Sequence, residues 1–275
     1  MTARLDVGDT SRQRRPGSSR RWKRKQRAFF ETLEPRMMLT TAATLSGGND
    51  LVLTGDGSTN DIRLALVNGG TELRLEDPLD MTASGAPFVS DGPNAYRIAL
   101  ADISGGDVVV NSGGGDDFLT IDNDGGILVL PIEYNGGSDI DSLNVTGDPG
   151  STVARESYVV GGNQEAGTWT LDPDGSPNNS DELVISFTGI ESAITATPAT
   201  MFDVVLTANA DSLTIEDGGM LDGAAAASVV DDGGTFASLR FANKTVTRIN
   251  GGDGAYRFYV DNLVPAARLN SLELY

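Results

Sequence analysis

The chain has 275 residues, 39 Asp+Glu against 20 Lys+Arg for a formal charge of −19, 34 glycines, and neither cysteine nor histidine. Disulfides, thiolate zinc sites and cysteine nucleophiles are therefore excluded, and so are Ser-His-Asp triads and histidine-ligated metals. Aromatic residues are only 6% of the total, which points to thin aliphatic layers joined by many turns instead of an aromatic-rich enzyme core.

Charge is unevenly placed. Residues 1–36 hold 11 basic and 4 acidic residues, a charge of +7, which leaves 9 basic and 35 acidic residues, −26, on 37–275. A basic tail (1–40) and an acidic body (41–275) with separate tasks are expected. The body repels nucleic acid and anionic membranes and attracts cations.

Residues 1–27 are polar, with Arg14-Arg15, Arg20-Arg21 and Lys23-Arg24-Lys25 flanking Pro16-Gly17-Ser18-Ser19, a composition that stays disordered. Nucleic acid is not expected as a partner, because no series of base-stacking aromatics accompanies the arginines. A short helix ending near Pro35 is expected next. A secretory signal needs an apolar run of about 7 to 15 residues, and Glu31, Glu34 and Arg36 interrupt the one around Phe29 and Phe30. The paired arginines do not change this, since a twin-arginine signal needs the same run. No run of about 20 apolar residues is present to span a membrane.

The stretch Phe30-Glu31-x-Leu33-Glu34-Pro35-Arg36-x-Met38-Leu39, behind its basic run, resembles the LEPR-XLL motif near the start of many large secreted or surface proteins of planctomycete bacteria. Leu33, Glu34, Pro35, Arg36 and Leu39 match, and Met38 replaces a leucine. The resemblance covers residues 20–40. It implies an export or sorting element, read by export machinery, and a secreted or cell-surface protein whose remainder carries repeats.

From Thr41 the composition turns to Gly, Thr, Asp and aliphatics. Leu51-Val52-Leu53, Ile62-Arg63-Leu64-Ala65-Leu66 and Leu73-Arg74-Leu75 alternate at period two between Gly55-Asp56-Gly57 and Asn68-Gly69-Gly70, the pattern of strands and turns. Residues 84–94, with Pro87 and Pro93, read as a loop. Strands resume over 98–121, and the apolar run Ile127-Leu128-Val129-Leu130 extends the series.

The body is organised around Ser112-Gly113-Gly114-Gly115-Asp116-Asp117-Phe118-Leu119-Thr120-Ile121. Its second half returns as Asp141-Ser142-Leu143-Asn144-Val145, Asp181-Glu182-Leu183-Val184-Ile185 and Asp211-Ser212-Leu213-Thr214-Ile215. Residues two apart on a strand share a face, so Leu119, Ile121, Leu143, Val145, Leu213 and Ile215 are expected to point inward. The segments 112–119 and 136–143 align with an offset of 24 residues, which suits one coil of a parallel β-helix. The expected class is all-β, a β-solenoid or parallel β-helix-like repeat body, with a stacked β-sandwich as the alternative. The final segments, 238–241, 246–249 and 271–275, read as strands with no capping element, as in a shortened member of a longer protein type.

If 24 residues make one turn, Asp116, Asp117, Asp139 and Asp141 lie on adjacent coils. Like charges so placed repel unless protonated or bridged by a cation, and all-oxygen ligation suits calcium. These four are the expected metal ligands. The same segments also resemble degenerate hemolysin-type calcium-binding repeats, of which 251–258 forms a third copy with Tyr256 at the ligand position. The loop 170–182 fits an EF-hand template poorly, since Thr170 holds its first position and Pro173 and Pro177 lie inside it.

The expected function is a non-catalytic extracellular or cell-surface repeat protein with a structural or adhesive role, binding a surface or matrix component and possessing calcium-stabilised turns. The alternative is a carbohydrate-active β-helix enzyme using paired carboxylates. Against it, Trp169 is the body's single tryptophan, and sugar sites usually carry aromatic platforms.

Overall fold

The computed structural model describes residues 41–275, apart from 48, 86, 163–164, 177–179, 208–211, 235, 252–256 and 262–263. The expectations for the tail, including Leu33 to Leu39, and for Pro177, Asp211 and the third glycine-rich copy around Tyr256 lie outside the described residues.

The body is all-β. Its strands begin with β1 (Thr41–Leu45), β2 (Leu51–Thr54), β3 (Asp61–Val67), β4 (Glu72–Glu76), β5 (Met81–Ala83), β6 (Val89–Ser90) and β7 (Ala95–Ala99), followed by one helical turn, α1 (Leu100–Ile103). Next come β8 (Val108–Gly114), β9 (Phe118–Asp122), β10 (Ile132–Ser138), β11 (Ser142–Thr146), β12 (Val153–Val160), β13 (Gly167–Asp172), β14 (Leu183–Thr188) and β15 (Ser192–Thr195). The chain continues through β16 (Ala199–Val205), β17 (Ser212–Leu221), β18 (Ala224–Asp231), β19 (Ser238–Phe241), β20 (Lys244–Asn250), β21 (Arg257–Asp261) and β22 (Ser271–Leu274).

These strands form two sheets of eleven. One runs β22-β20-β16-β12-β13-β14-β10-β8-β2-β1-β5 and the other β21-β17-β18-β19-β15-β11-β9-β3-β4-β7-β6. From β8 to β11 each strand joins the sheet opposite its predecessor, so strands that neighbour one another within a sheet run parallel. Val108 and Val110 lie beside Ile132 and Tyr134, and Leu119 and Ile121 beside Leu143 and Val145. The inward rows of both sheets merge into one hydrophobic core. Leu119, Ile121, Leu143, Val145, Leu213 and Ile215 are all buried there, as alternation requires. Antiparallel hairpins interrupt the parallel runs at β3/β4, β12/β13/β14 and β17/β18/β19.

The four Asp-x-Leu-x-Ile/Val copies do not form one stacked row. β9 and β11 are neighbours, but β14, which follows Asp181, lies in the opposite sheet, and β17 pairs with β18 and β21. The motif encodes a strand with one buried face, and any half-buried strand in either sheet satisfies that. The apolar run 127–130 is not a strand: the Asn123 side chain accepts the Leu128 N–H and tucks Leu128 inward, while Val129 is exposed. Within the expected loop 84–94 lies the two-residue β6.

Candidate functional site: the acidic corner between the sheets

The expected metal ligands lie on the tight corners that carry the chain from β8 to β9 and from β10 to β11. Gly113 and Gly137 have φ of 104° and 108°, a region that glycine enters without steric cost. They also stack closely, since a Cβ on Gly137 would sit 2.1 Å from the Gly113 carbonyl oxygen.

At these corners the four aspartates separate into two pairs. Asp116 and Asp139 are exposed, whereas Asp117 and Asp141 are fully buried. In the outer pair, Asp116 Oδ1 accepts the Ile140 N–H at 3.1 Å and Asp139 Oδ2 accepts the Gly115 N–H at 3.1 Å. The inner pair belongs to a longer ladder. Asp117 Oδ1 accepts the Asn60 N–H at 2.6 Å, Asp141 Oδ1 accepts the Asp117 N–H at 2.9 Å, and Glu191 Oε2 accepts the Asp141 N–H at 2.6 Å. Each residue immediately precedes a strand position in register with the next: Asp61, Phe118, Ser142 and Ser192 are aligned across the sheet. Every acceptor therefore ties down the backbone of the neighbouring level. The next aligned residue, before Ser238, is Ala237, which has no acceptor, and the ladder ends.

A row of small residues makes room for it. An added Cβ on Gly55 would lie 2.2 Å from Asn60 Oδ1, and one on Gly136 would lie 2.7 Å from Asp141 Oδ2 and 2.0 Å from the Gly189 carbonyl oxygen. Only a residue without a side chain lets the carboxylate fold back into the interior at this point.

The inner carboxylates are electrostatically uncomfortable. Burial pushes Asp117 up to about 7, with Asp141, Asp56 and Asp77 adding to the rise and the Asn60 N–H opposing it. Burial likewise pushes Asp141 up to about 6, against the Asp117 N–H and with the help of Glu191, Asp116 and Asp139. Asp117 Oδ2 and Asp141 Oδ2 are buried without a hydrogen-bond partner, and so are Ser112 Oγ and Tyr134 Oη from the facing strands β8 and β10. Burial raises the Tyr134 phenol as well; the Ser112 hydroxyl beside it works the other way without reaching hydrogen-bonding geometry. Groups of this kind call for a proton, a water or an ion.

Among the described residues no three carboxylates converge as a metal-binding group. The four expected ligands lie as two pairs, Asp116 and Asp139 exposed and Asp117 and Asp141 buried. In the EF-hand-like loop, Asp172 Oδ1 accepts the N–H groups of Asp174 and Gly175, and Asp174 Oδ1 accepts that of Ser176. Those carboxylates form local turns.

Two further features were invisible to motif reading. A groove of about 600 Å³ lies on the outer face of β3, β9 and β11, lined by Asp61, Glu76, Asp124 and Asp222 together with Arg63 and Asn144. Among the described residues no aromatic side chain lines it. Burial raises the pKa of Asp61, with Asp77 and Glu76 adding to it, and that of Asp124, with Asp122 and Asp148 adding to it. Deep in the core, Lys244 Nζ donates to Glu156 Oε2 at 2.5 Å and to Thr195 Oγ1 at 2.8 Å, while Trp169 Nε1 donates to Glu156 Oε1 at 2.9 Å. The signal for Glu156 was its inward place in the alternating run of β12, between Ala154 and Tyr158.

No protein family, curated protein or solved structure matches this chain.

Proposed function

We propose that this protein is a non-catalytic extracellular scaffold whose two sheets are faces of a β-solenoid, and whose repeated acidic residues join one coil to the next. The observation that carries this reading is the ladder Asn60, Asp117, Asp141, Glu191, whose rungs link residues 57, 24 and 50 positions apart in sequence. Coils of very different length thus share one corner chemistry, as expected when hairpins are inserted into a repeating frame. The basic tail with its LEPR-XLL-like motif serves export, and the acidic groove on the outer sheet face meets a surface or matrix component. Staining unpermeabilised cells with antibody raised against residues 41–275 tests the location: a surface signal supports the reading, and a signal that appears only after permeabilisation overturns it.

A second reading, calcium stabilisation, is favoured by the unpartnered oxygens Asp117 Oδ2 and Asp141 Oδ2 beside the hydroxyls of Ser112 and Tyr134. This all-oxygen donor set fits a hard cation in type, and those four residues would hold it. The expected signature is a thermal midpoint raised more by millimolar calcium than by magnesium at matched ionic strength; equal midpoints count against it. The carbohydrate-active alternative has paired carboxylates in the groove but no aromatic platform among the described residues. Release of reducing ends from a polysaccharide panel, lost in Asp61→Asn or Asp124→Asn, would replace the scaffold reading with it.

A further inference from the structure

Among the described residues Lys244 is the one buried cation, and its side chain and that of Glu156 are both 0% exposed. Lysine is almost never fully buried unless paired, and a buried ion pair is a weak source of stability, since apolar side chains of similar volume often serve as well or better. The surroundings of this pair supply a role that apolar side chains could not fill.

The two residues come from strands on either side of β16. Glu156 of β12 is aligned with Phe202 of β16, and Lys244 opens β20, aligned with Ala199. Lys244 Nζ stands over the Phe202 ring, 5.3 Å from its centroid, and meets Glu156 Oε2 at 2.5 Å. Thr195 Oγ1, at 2.8 Å, and the Thr197 carbonyl accept from the same nitrogen. On the other side of the carboxylate, Trp169 Nε1 donates to Glu156 Oε1 at 2.9 Å. Trp169 packs edge-on against Tyr158, and Phe202 against Phe241, so amine and carboxylate meet among aromatic rings and away from solvent.

These groups match the needs of amide formation. A proton passed from Nζ to Oε2 along their hydrogen bond turns the ion pair into an amine and a carboxylic acid, which apolar surroundings favour over two charges. Burial already lowers the pKa of Lys244, against the pull of Glu156. The two N–H groups left on Nζ keep Thr195 Oγ1 and the Thr197 carbonyl as acceptors, so the lone pair is free to face Glu156. Nζ bonds to Cδ, and the carbonyl electron pair moves onto Oε1, where the Trp169 N–H stabilises the charge. That pair then returns to form the amide carbonyl, the Cδ–Oε2 bond breaks, and Oε2 leaves as water with a second proton from Nζ. Amine and carboxylic acid give amide and one water, with no other reactant.

We propose that Lys244 and Glu156 become joined by an intramolecular isopeptide bond, Nζ to Cδ, and that the ion pair is the state from which it forms on the folded chain. The bond ties β12 to β20 across 88 positions of sequence, in a chain that has no cysteine for a disulfide. It stands independently of the scaffold and calcium readings.

The test is mass spectrometry of the full 275-residue chain, denatured after purification. Measured against Lys244→Met, and after allowing for the substitution, the wild type is expected to lack one water. Glu156→Leu is expected to lack none. A protease digest of the wild type is expected to yield a branched peptide that joins the segments carrying Glu156 and Lys244. Trp169→Phe keeps an aromatic ring but offers no N–H to Oε1, and in freshly synthesised chain it is expected to form the link at least about tenfold more slowly. A wild type that lacks no water overturns the proposal, and so does a water lost elsewhere, as in a succinimide at Asp222-Gly223, with no branched peptide. A Trp169→Phe variant that links as fast as the wild type overturns the part given to the indole.

Discussion

Glu156 and Lys244 are buried as completely as Asp117 and Asp141, yet the two clusters are built in opposite ways. In the first, a cation and an anion meet, and Trp169, Thr195 and the Thr197 carbonyl satisfy their remaining hydrogen bonds. Burial lowers the pKa of Lys244, and Glu156 holds it up. In the second, like charges meet; the backbone N–H groups of Asn60 and Asp117 occupy one oxygen of each carboxylate, and the other oxygen has no partner. A compensated pair fixes how β12, β15 and β20 pack. The uncompensated pair joins successive levels and stays sensitive to whatever can neutralise it, a proton above all.

The largest expected effect is on the compensated cluster. Lys244→Ala leaves Glu156 charged and buried without its counter-ion, and chemical denaturation is expected to show a loss of about 3 to 5 kcal/mol. Glu156→Leu combined with Lys244→Met should recover part of that loss, because no buried charge is left unpaired, the remainder being the cost of leaving Trp169 Nε1, Thr195 Oγ1 and the Thr197 carbonyl without these partners. A double variant as unstable as the single would mean that the cluster contributes more than charge compensation.

Leu143→Ala removes a fully buried side chain next to the corner and is expected to cost about 2 to 5 kcal/mol. Gly136→Ala tests the small-residue row. Its added Cβ would lie 2.0 Å from the Gly189 carbonyl oxygen and 2.6 Å from Asp141 Cβ, and overpacking of this kind costs about 1 to 3 kcal/mol. A neutral Gly136→Ala would show that the row has no steric role.

The smallest effect is the pH dependence, and its direction is unusual for carboxylates. The folded pKa values of Asp117 and Asp141 lie above the ordinary value of 3.8, at about 7 and about 6. The folded state therefore holds more protons than the unfolded one between those values, so this contribution is complete below about pH 4 and is lost as pH rises to about 7. Asp117→Asn removes one titration while keeping an oxygen for the Asn60 N–H. Its stability relative to the wild type is expected to improve steadily from pH 4 to pH 8; a difference that does not change with pH would refute the raised value.

The strands were legible wherever alternation was strict, as at Leu119-Thr120-Ile121, because period two alone decides which face is buried. The 24-residue step was legible because no hairpin intervenes between β8 and β11. The membership of β14 in the other sheet was not legible, since Leu183 and Ile185 are buried by the same alternation in either sheet. The spacing of the aspartates was legible, but their division into an exposed and a buried pair was not. Adjacent residues point to opposite faces at the corner, which separates Asp116 from Asp117, and that geometry depends on the φ of 104° at Gly113 and 82° at Asp139. Other acids, such as Asp148 and Asp217, accept the N–H two residues on, the ordinary role of aspartate in turns. Lys244 was missed because a lysine in a strand is normally a solvent-facing residue.

Amide hydrogen exchange, read residue by residue, tests most directly whether the acidic corner joins one level to the next. Asp141→Ala removes the acceptor for the Asp117 N–H, and Asp117→Ala removes the acceptor for the Asn60 N–H. Each variant is expected to lose protection at that one amide, one level away, well beyond any general loss of stability, while the amides of Leu119 and Leu143 remain protected. Protection unchanged at Asn60 and Asp117, or lost evenly along β9 and β11, would contradict the ladder and with it the role given to the repeated aspartates.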